Sequence, residues 1–122
     1  MTREAETQAL IRAEASAKGG RLWRNNVGVL LDKRGVPIRF GLCNDSATVN
    51  AGLKSGDLIG IMPVLITPEM VGMYIGQFVS REVKRPGWEY HGDAREVAQQ
   101  RWIDLINGLG GDAGFATEVG TL

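Results

Sequence analysis

The apolar positions of this chain fall into two rhythms, one helical and one extended. Residues Arg3 to about Lys18 are rich in Ala, Glu, Gln and Arg, all good helix formers. Thr2 reads as the N-cap, Glu4 and Glu6 sit at the positive end of the helix dipole, and Gly19-Gly20 ends the helix. Glu4, Gln8 and Ile11 share one stripe, and Glu6, Leu10 and Ala13 share the next. Two apolar runs follow, Leu22–Leu31 and Val36–Cys43. The link Asp32-Lys33-Arg34-Gly35 makes them a β-hairpin. Asn44 to Gly56 is polar and reads as a loop. Asp57 opens the run Leu58–Ile66, whose far end Pro63 weakens as a strand. Thr67-Pro68-Glu69 reads as a turn. Tyr74–Lys84 is the clearest strand, with Phe78, Ser80, Glu82 and Lys84 on one face. Pro86-Gly87 breaks it. Asp93–Leu109 reads as a second helix, with Val97, Trp102, Ile103, Leu105 and Ile106 as its apolar positions. Ala113–Val119 reads as a last strand. The order predicts an α/β fold, a small mixed β-sheet flanked by helices.

Composition narrows this to an ordinary globular chain. Its 122 residues suit one domain spanning 1–122. Hydrophobic residues make up 43% and charged residues 23%, which argues against disorder. The formal net charge is zero, so any nucleic-acid surface must be a local basic patch. One cysteine, Cys43, excludes an internal disulfide and a cysteine-rich zinc site. One histidine, His91, excludes a multi-histidine site. Metal chemistry would have to use carboxylates, which favours magnesium or manganese. No signal peptide or membrane-spanning run is apparent, so a cytoplasmic protein is expected.

The chemistry concentrates in two segments, Ser55-Gly56-Asp57-Leu58-Ile59-Gly60 and Arg81-Glu82-Val83-Lys84. An acid opens one strand, and an acid and a lysine two residues apart share one face of another. If these strands adjoin, two carboxylates and an ammonium converge. Close carboxylates repel each other unless a cation lies between them. A divalent ion there would polarise a phosphate oxygen and lower the pKa of a bound water. Lys84 would orient that water or offset transition-state charge. The Val83 carbonyl is a further candidate oxygen ligand. The plainer reading makes Asp57 a turn residue and Glu82–Lys84 a solvated pair.

These segments resemble the VRR-NUC family, the virus-type replication-repair nuclease domain of the PD-(D/E)xK restriction-endonuclease-like superfamily. The resemblance begins with a glutamate-bearing first helix. It runs through Leu22-Trp23-Arg24-Asn25-Asn26-Val27-Gly28, Arg39-Phe40-Gly41-Leu42, Ser55 to Gly60 and Glu82-Val83-Lys84, and ends with Gln99–Trp102 and Gly110-Gly111. It implies a restriction-endonuclease-like core of order α-β-β-β-α-β. It implies that Asp57 and Glu82 bind metal and that Lys84 is catalytic. A metal-linked glutamate on the first helix would be Glu4, with Glu6 as its rival. A glutamine of the second helix would be Gln99, with Gln100 as its rival. Compact members of this kind are expected to be phage-encoded, to act in the host cytoplasm, and to cut branched DNA as homodimers. Asn44–Lys54 is a longer, less glycine-rich approach to Asp57 than the family pattern has.

Arg24, Asn25 and Arg85 are the candidate DNA contacts, Arg24 and Arg85 toward phosphate and Asn25 through its amide. Asn25 and Asn26 read more readily as residues that fix a turn or strand end. Arg81, Arg95 and Arg101 join Lys84 and Arg85 as a potential basic patch. Trp88, Tyr90 and His91 read as packing or dimer contacts before base-stacking groups, and Trp102 and Ile103 as core or interface. The expected activity is metal-dependent hydrolysis of a DNA phosphodiester bond, on a four-way junction or flap. The rivals are a catalytically silent DNA-binding module of the same fold and an interaction protein with surface carboxylates.

Overall fold

A computed structural model describes residues 3–122, so the expected Thr2 cap lies outside the described residues. The chain forms two compact units, one ending at Gly60 and the other Ile61–Leu122. Both are mixed α and β, with small antiparallel and parallel sheets and helices.

In the first unit, α1 is Arg3–Ala17. Ala15 is its one buried residue, and the Arg12 guanidinium donates to the Leu22 carbonyl at 3.3 Å. The helix ends as its sequence predicts. Gly19 takes φ +86°, and the Gly20 amide reaches back to the Ala15 carbonyl at 2.9 Å, a Schellman closure. The next strands are β1 (Arg21–Arg24), β2 (Gly28–Leu31) and β3 (Pro37–Phe40). β2 and β3 pair antiparallel, with Leu30 opposite Ile38. Their turn is held by Asp32, whose Oδ1 accepts from the Arg34 and Val36 amides, both at 2.8 Å.

The expected hairpin therefore exists, but its first arm is shorter. The chain leaves it at Asn25, whose amide donates to the Asp57 carbonyl at 2.8 Å. β1 pairs instead with β4 (Leu58–Ile61). The polar stretch after β3 also holds an unexpected helix, α2 (Ala47–Gly52), capped by Ser46 accepting from the Val49 amide. Six residues with no buried side chain carry no apolar stripe, so periodicity does not reveal it. Asn44, only 3% exposed, fastens the hairpin base. Its amide donates to the Gly28 and Phe40 carbonyls, and its oxygen accepts from Arg39.

In the second unit, the apolar run does not continue as a strand past Ile61, because Pro63 has no amide to offer a ladder. A 3₁₀ turn covers Pro68–Met70. The expected strand Tyr74–Lys84 is shorter, β5 being Val79–Val83, and Tyr74 is wholly exposed. α3 (Ala94–Gly108) then crosses to β6 (Asp112–Ala116), which lies parallel to β5 with Glu82 opposite Phe115. This β-α-β unit buries Ile103, Ile106, Ala113 and Ala116. Asn107 closes the helix end onto β6, accepting from the Ala113 amide at 2.7 Å and donating to its carbonyl. The Arg81 guanidinium is fully engaged by Asp112, Ser80 and Thr121. It is a structural clamp rather than part of a basic patch.

The single mixed sheet expected from the sequence is thus replaced by three two-stranded sheets among the described residues. The strands are four or five residues long, and the chain leaves the extended conformation at Asn25–Val27 and before Pro63.

Gly60 marks the tightest approach in the first unit. A Cβ built there would collide with the Arg21 carbonyl and the Leu22 Cα, both backbone. Gly60→Ala is expected to cost about 1–3 kcal/mol through forced separation of β1 and β4. Urea unfolding checks this, and unchanged stability would reject the packing described.

Candidate active site

The extended backbone of β5 places Ser80, Glu82 and Lys84 on one face. The Lys84 amide continues the ladder by donating to the Ala116 carbonyl at 2.8 Å. Amide and carbonyl directions alternate along a strand, so the Val83 carbonyl is turned to the other edge of β5. No strand among the described residues covers that edge.

α3 supplies the third side chain. Lys84 Nζ donates to Gln99 Oε1 at 2.9 Å, and Gln99 Nε2 donates to Glu82 Oε1 at 2.9 Å. The carboxamide satisfies both neighbours at once, offering an acceptor to the ammonium and a donor to the carboxylate. Gln100, one residue on, points away and donates to Asp104. Of the two candidate glutamines, Gln99 is the one beside Glu82 and Lys84. Lys84 has no carboxylate within ion-pair distance among the described residues. Its charge lies instead over two aromatic faces, 5.4 Å from the Trp88 ring and 5.8 Å from that of Phe115.

Trp88 and Phe115 form an aromatic wall with Tyr90, their ring centroids 4.7 to 6.3 Å apart. The wall is fastened by Glu96, a residue the sequence reading passed over. Glu96 is 4% exposed. Its Oε2 accepts from the Trp88 indole at 3.0 Å, and its Oε1 accepts from the amides of His91, Gly92 and Asp93. Asp93 caps α3 in return by accepting from the Glu96 amide. Asp93-x-x-Glu96 is a capping-box signature legible in the sequence. Burial raises the Glu96 pKa, but the His91 and Asp93 amides, the indole and the Gly92 amide outweigh it and hold the carboxyl below its ordinary value. Trp88 and Tyr90 are therefore packing residues here, and His91 contributes its backbone to this network.

Glu82, Val83, Lys84 and Gln99 all belong to the second unit. Glu4 and Asp57 belong to the first, Glu4 exposed in the first turn of α1 and Asp57 exposed ahead of β4. Glu6 is likewise exposed. No group of three or more His, Cys, Asp or Glu side chains among the described residues is close enough to share a metal ion. Arg24 and Arg85 are exposed. Asn25 follows its turn-fixing reading rather than that of a DNA contact: both hydrogens of its side-chain amide are taken up inside the fold, by Ser55 Oγ at 2.8 Å and the Gly56 carbonyl at 2.9 Å. Ser55 in turn donates to the Leu42 carbonyl. Asn25 thus shapes the turn that presents Asp57, and cannot donate to a phosphate without releasing that turn.

An open cavity of about 480 Å³ begins at Glu82 and is lined further by Arg95, Ala98, Gln99 and Trp102. No helix among the described residues is long and apolar enough to cross a membrane. No protein-family model, curated protein or solved structure matches the chain.

The Glu96 network predicts an acid-sensitive aromatic wall. The folded-state pKa lies below the ordinary 4.5, so the stabilisation is fully present above that value and is lost as pH falls through the lower folded one. Wild-type stability, followed by urea unfolding at stepped pH, is expected to decline below about pH 4.5. Glu96→Gln is expected to be less stable at neutral pH and to show a flatter acid limb. Superimposable profiles would refute the assignment.

Proposed function

We propose that this chain is a divalent-metal-dependent DNA nuclease with a restriction-endonuclease-like core, of the kind the VRR-NUC resemblance implies. The observation that carries the reading is the Glu82–Gln99–Lys84 bridge. It holds an acid and a cation on one strand face at fixed spacing without letting them form a direct ion pair. A merely solvated Glu–Lys pair has no need of a carboxamide from another element aligned to both.

The donor set suits a hard cation. The Gln99 amide occupies one position on Glu82 Oε1, and a carboxylate has about four lone-pair sites. The adjacent Val83 carbonyl faces an uncovered edge. Within the second unit, Glu82 and the Val83 carbonyl would hold magnesium or manganese. Such an ion, when bound, supplies Lewis acidity toward a phosphate oxygen and an activated water. The chain's own residues do the rest. Gln99 orients Lys84, and the Trp88 and Phe115 rings keep water from one side of its ammonium. That lowers the local screening, so the charge acts more strongly on the extra negative charge of phosphodiester attack. Arg24 and Arg85, each exposed, would contact phosphate.

The substrate proposed is branched DNA, and the working form a homodimer in the cytoplasm of a host cell. The hairpin supports a self-association surface: Val29, Leu30, Leu31, Val36, Ile38 and Phe40 are all exposed apolar residues. The rival silent DNA-binding module draws support from the lack of a three-acid group among the described residues.

Cleavage of labelled four-way junctions, flaps and linear duplexes in magnesium, manganese or EDTA separates the two. Activity is expected with either metal and none in EDTA. Lys84→Ala is expected to lower the rate about 10²–10³-fold. Gln99→Leu is expected to lower it about 10–100-fold, as loss of an orienting partner does. Full activity in EDTA, or unimpaired Lys84→Ala, would reject the mechanism. Sedimentation should show a dimer that Leu30→Glu converts to a monomer, and an unaffected dimer would move the interface elsewhere.

A further inference from the structure

The cavity next to Glu82 has contents that the cleavage chemistry does not use. Its α3 wall is made by Arg95, Ala98, Gln99 and Trp102, at spacings of three, four and seven residues that put them on one stripe of the helix. Gln99 belongs to the bridge already described. Arg95 and Trp102 do not.

Arg95 stands in the first turn of α3, where a cation opposes the helix dipole. No ion pair among the described residues offsets this. The residues three and four positions on are Ala98 and Gln99, and Arg95 makes no hydrogen bond or ion pair among the described residues. The nearest acid in sequence, Glu96, is fully engaged by Trp88 and three backbone amides. An exposed cation kept at an unfavourable helix end, on the rim of a cavity, is available for an anion from outside.

Trp102 is held differently. Its indole donates to Ser80 Oγ at 3.0 Å, and its ring meets Phe78 edge-on, with centroids 6.5 Å apart. The ring is thus braced at its nitrogen and against its neighbour, yet 36% of the residue remains exposed. A braced aromatic with open surface loses little entropy when a flat group lies on it. Seven helical residues separate the two side chains by about 10 Å along the axis, a span a nucleotide's phosphate and base bridge with the reach of an arginine. A cavity of about 480 Å³ has room for one such unit.

We propose that this cavity is a nucleotide subsite for an unpaired DNA strand, with Arg95 on the phosphate and Trp102 stacked on the base. The inference rests on the nuclease reading for its substrate class. It adds that the strand approaching Glu82 is single-stranded, because a base paired inside a duplex has no free face to give Trp102. A flap or a splayed junction arm supplies such a nucleotide, whereas an intact linear duplex does not.

The test is fluorescence anisotropy with a labelled oligothymidylate, in EDTA so that no cleavage intervenes. A labelled duplex of equal length serves as comparison, and Lys33→Ala, in the hairpin turn, as the charge control. Wild type should prefer the single strand. Trp102→Leu should weaken single-strand binding by about fivefold or more, and Trp102→Phe should retain most of it. Arg95→Ala should weaken binding and lower the salt slope by about 0.7, the value for one phosphate contact on a single strand. Thermal unfolding of each variant identifies any that fail to fold, and Trp102→Phe with Arg95→Ala keeps the test open if Trp102→Leu is one of them. Absent binding, equal binding of duplex, or affinities unchanged in Arg95→Ala and Trp102→Phe alongside an unaffected folded Trp102→Leu would overturn the subsite. Subsite-dependent binding with no metal-dependent cleavage would leave the subsite standing and remove the nuclease reading. Metal-dependent cleavage with Arg95- and Trp102-independent binding would do the reverse.

Discussion

One carboxamide organises the second unit's chemistry. Gln99 keeps Glu82 and Lys84 apart while satisfying both, and its placement rests on how α3 is packed and ended. Its donor and acceptor ends are directional, so the bridge works only if α3 stands at a fixed rotation and height over β5. Ile103 and Ile106 set the rotation by burying one stripe of the helix. The Asp93–Glu96 box sets the start of the helix, and Asn107 ties its end to β6. A carboxylate at 99 would repel Glu82, and a hydrocarbon would leave both neighbours unpaired, so the polarity of one group is tied to the packing of a whole helix.

The aromatic wall and the bridge are coupled through the loop between β5 and α3. Trp88 touches the Lys84 charge on one side and donates to Glu96 on the other. Glu96 in turn takes three backbone amides of the same loop. A buried carboxylate thereby orders the segment that limits solvent around the ammonium, with no second charge needed. Arg81, on the opposite face of β5 from Glu82, is consumed by the Asp112 carboxylate and Thr121 and stiffens the strand from behind.

Much of this was legible from residue order. The period of two put Glu82 and Lys84 on one strand face, the Asp93-to-Leu109 pattern located α3, and Gly19-Gly20 located the end of α1. Gln99 emerged from family resemblance, since nothing in spacing alone separates it from Gln100. What was hidden depends on partners distant in sequence. Asn25 read as a turn residue, but which turn it fixes was hidden because its acceptors, Ser55 and Gly56, lie about thirty residues on. The strand breaks at Asn25 and Ile61 follow from those partners and from Pro63, and they turn one expected sheet into several small ones. α2 stayed hidden because it packs too little apolar surface to leave a period.

The parallel pairing of β5 with β6 has a kinetic corollary. Parallel neighbours cannot be joined by a tight turn, so their ladder closes only after the intervening crossover has been brought into place. The entropy of closing that loop must be met before the strand contacts return anything. Glu82 and Lys84 come from the first strand and Gln99 from the crossover, so the bridge forms as the crossover docks on β5. A chain in which the crossover has not docked would hold the three residues without their alignment, so the bridge should appear with the packing of α3 on β5 rather than before it.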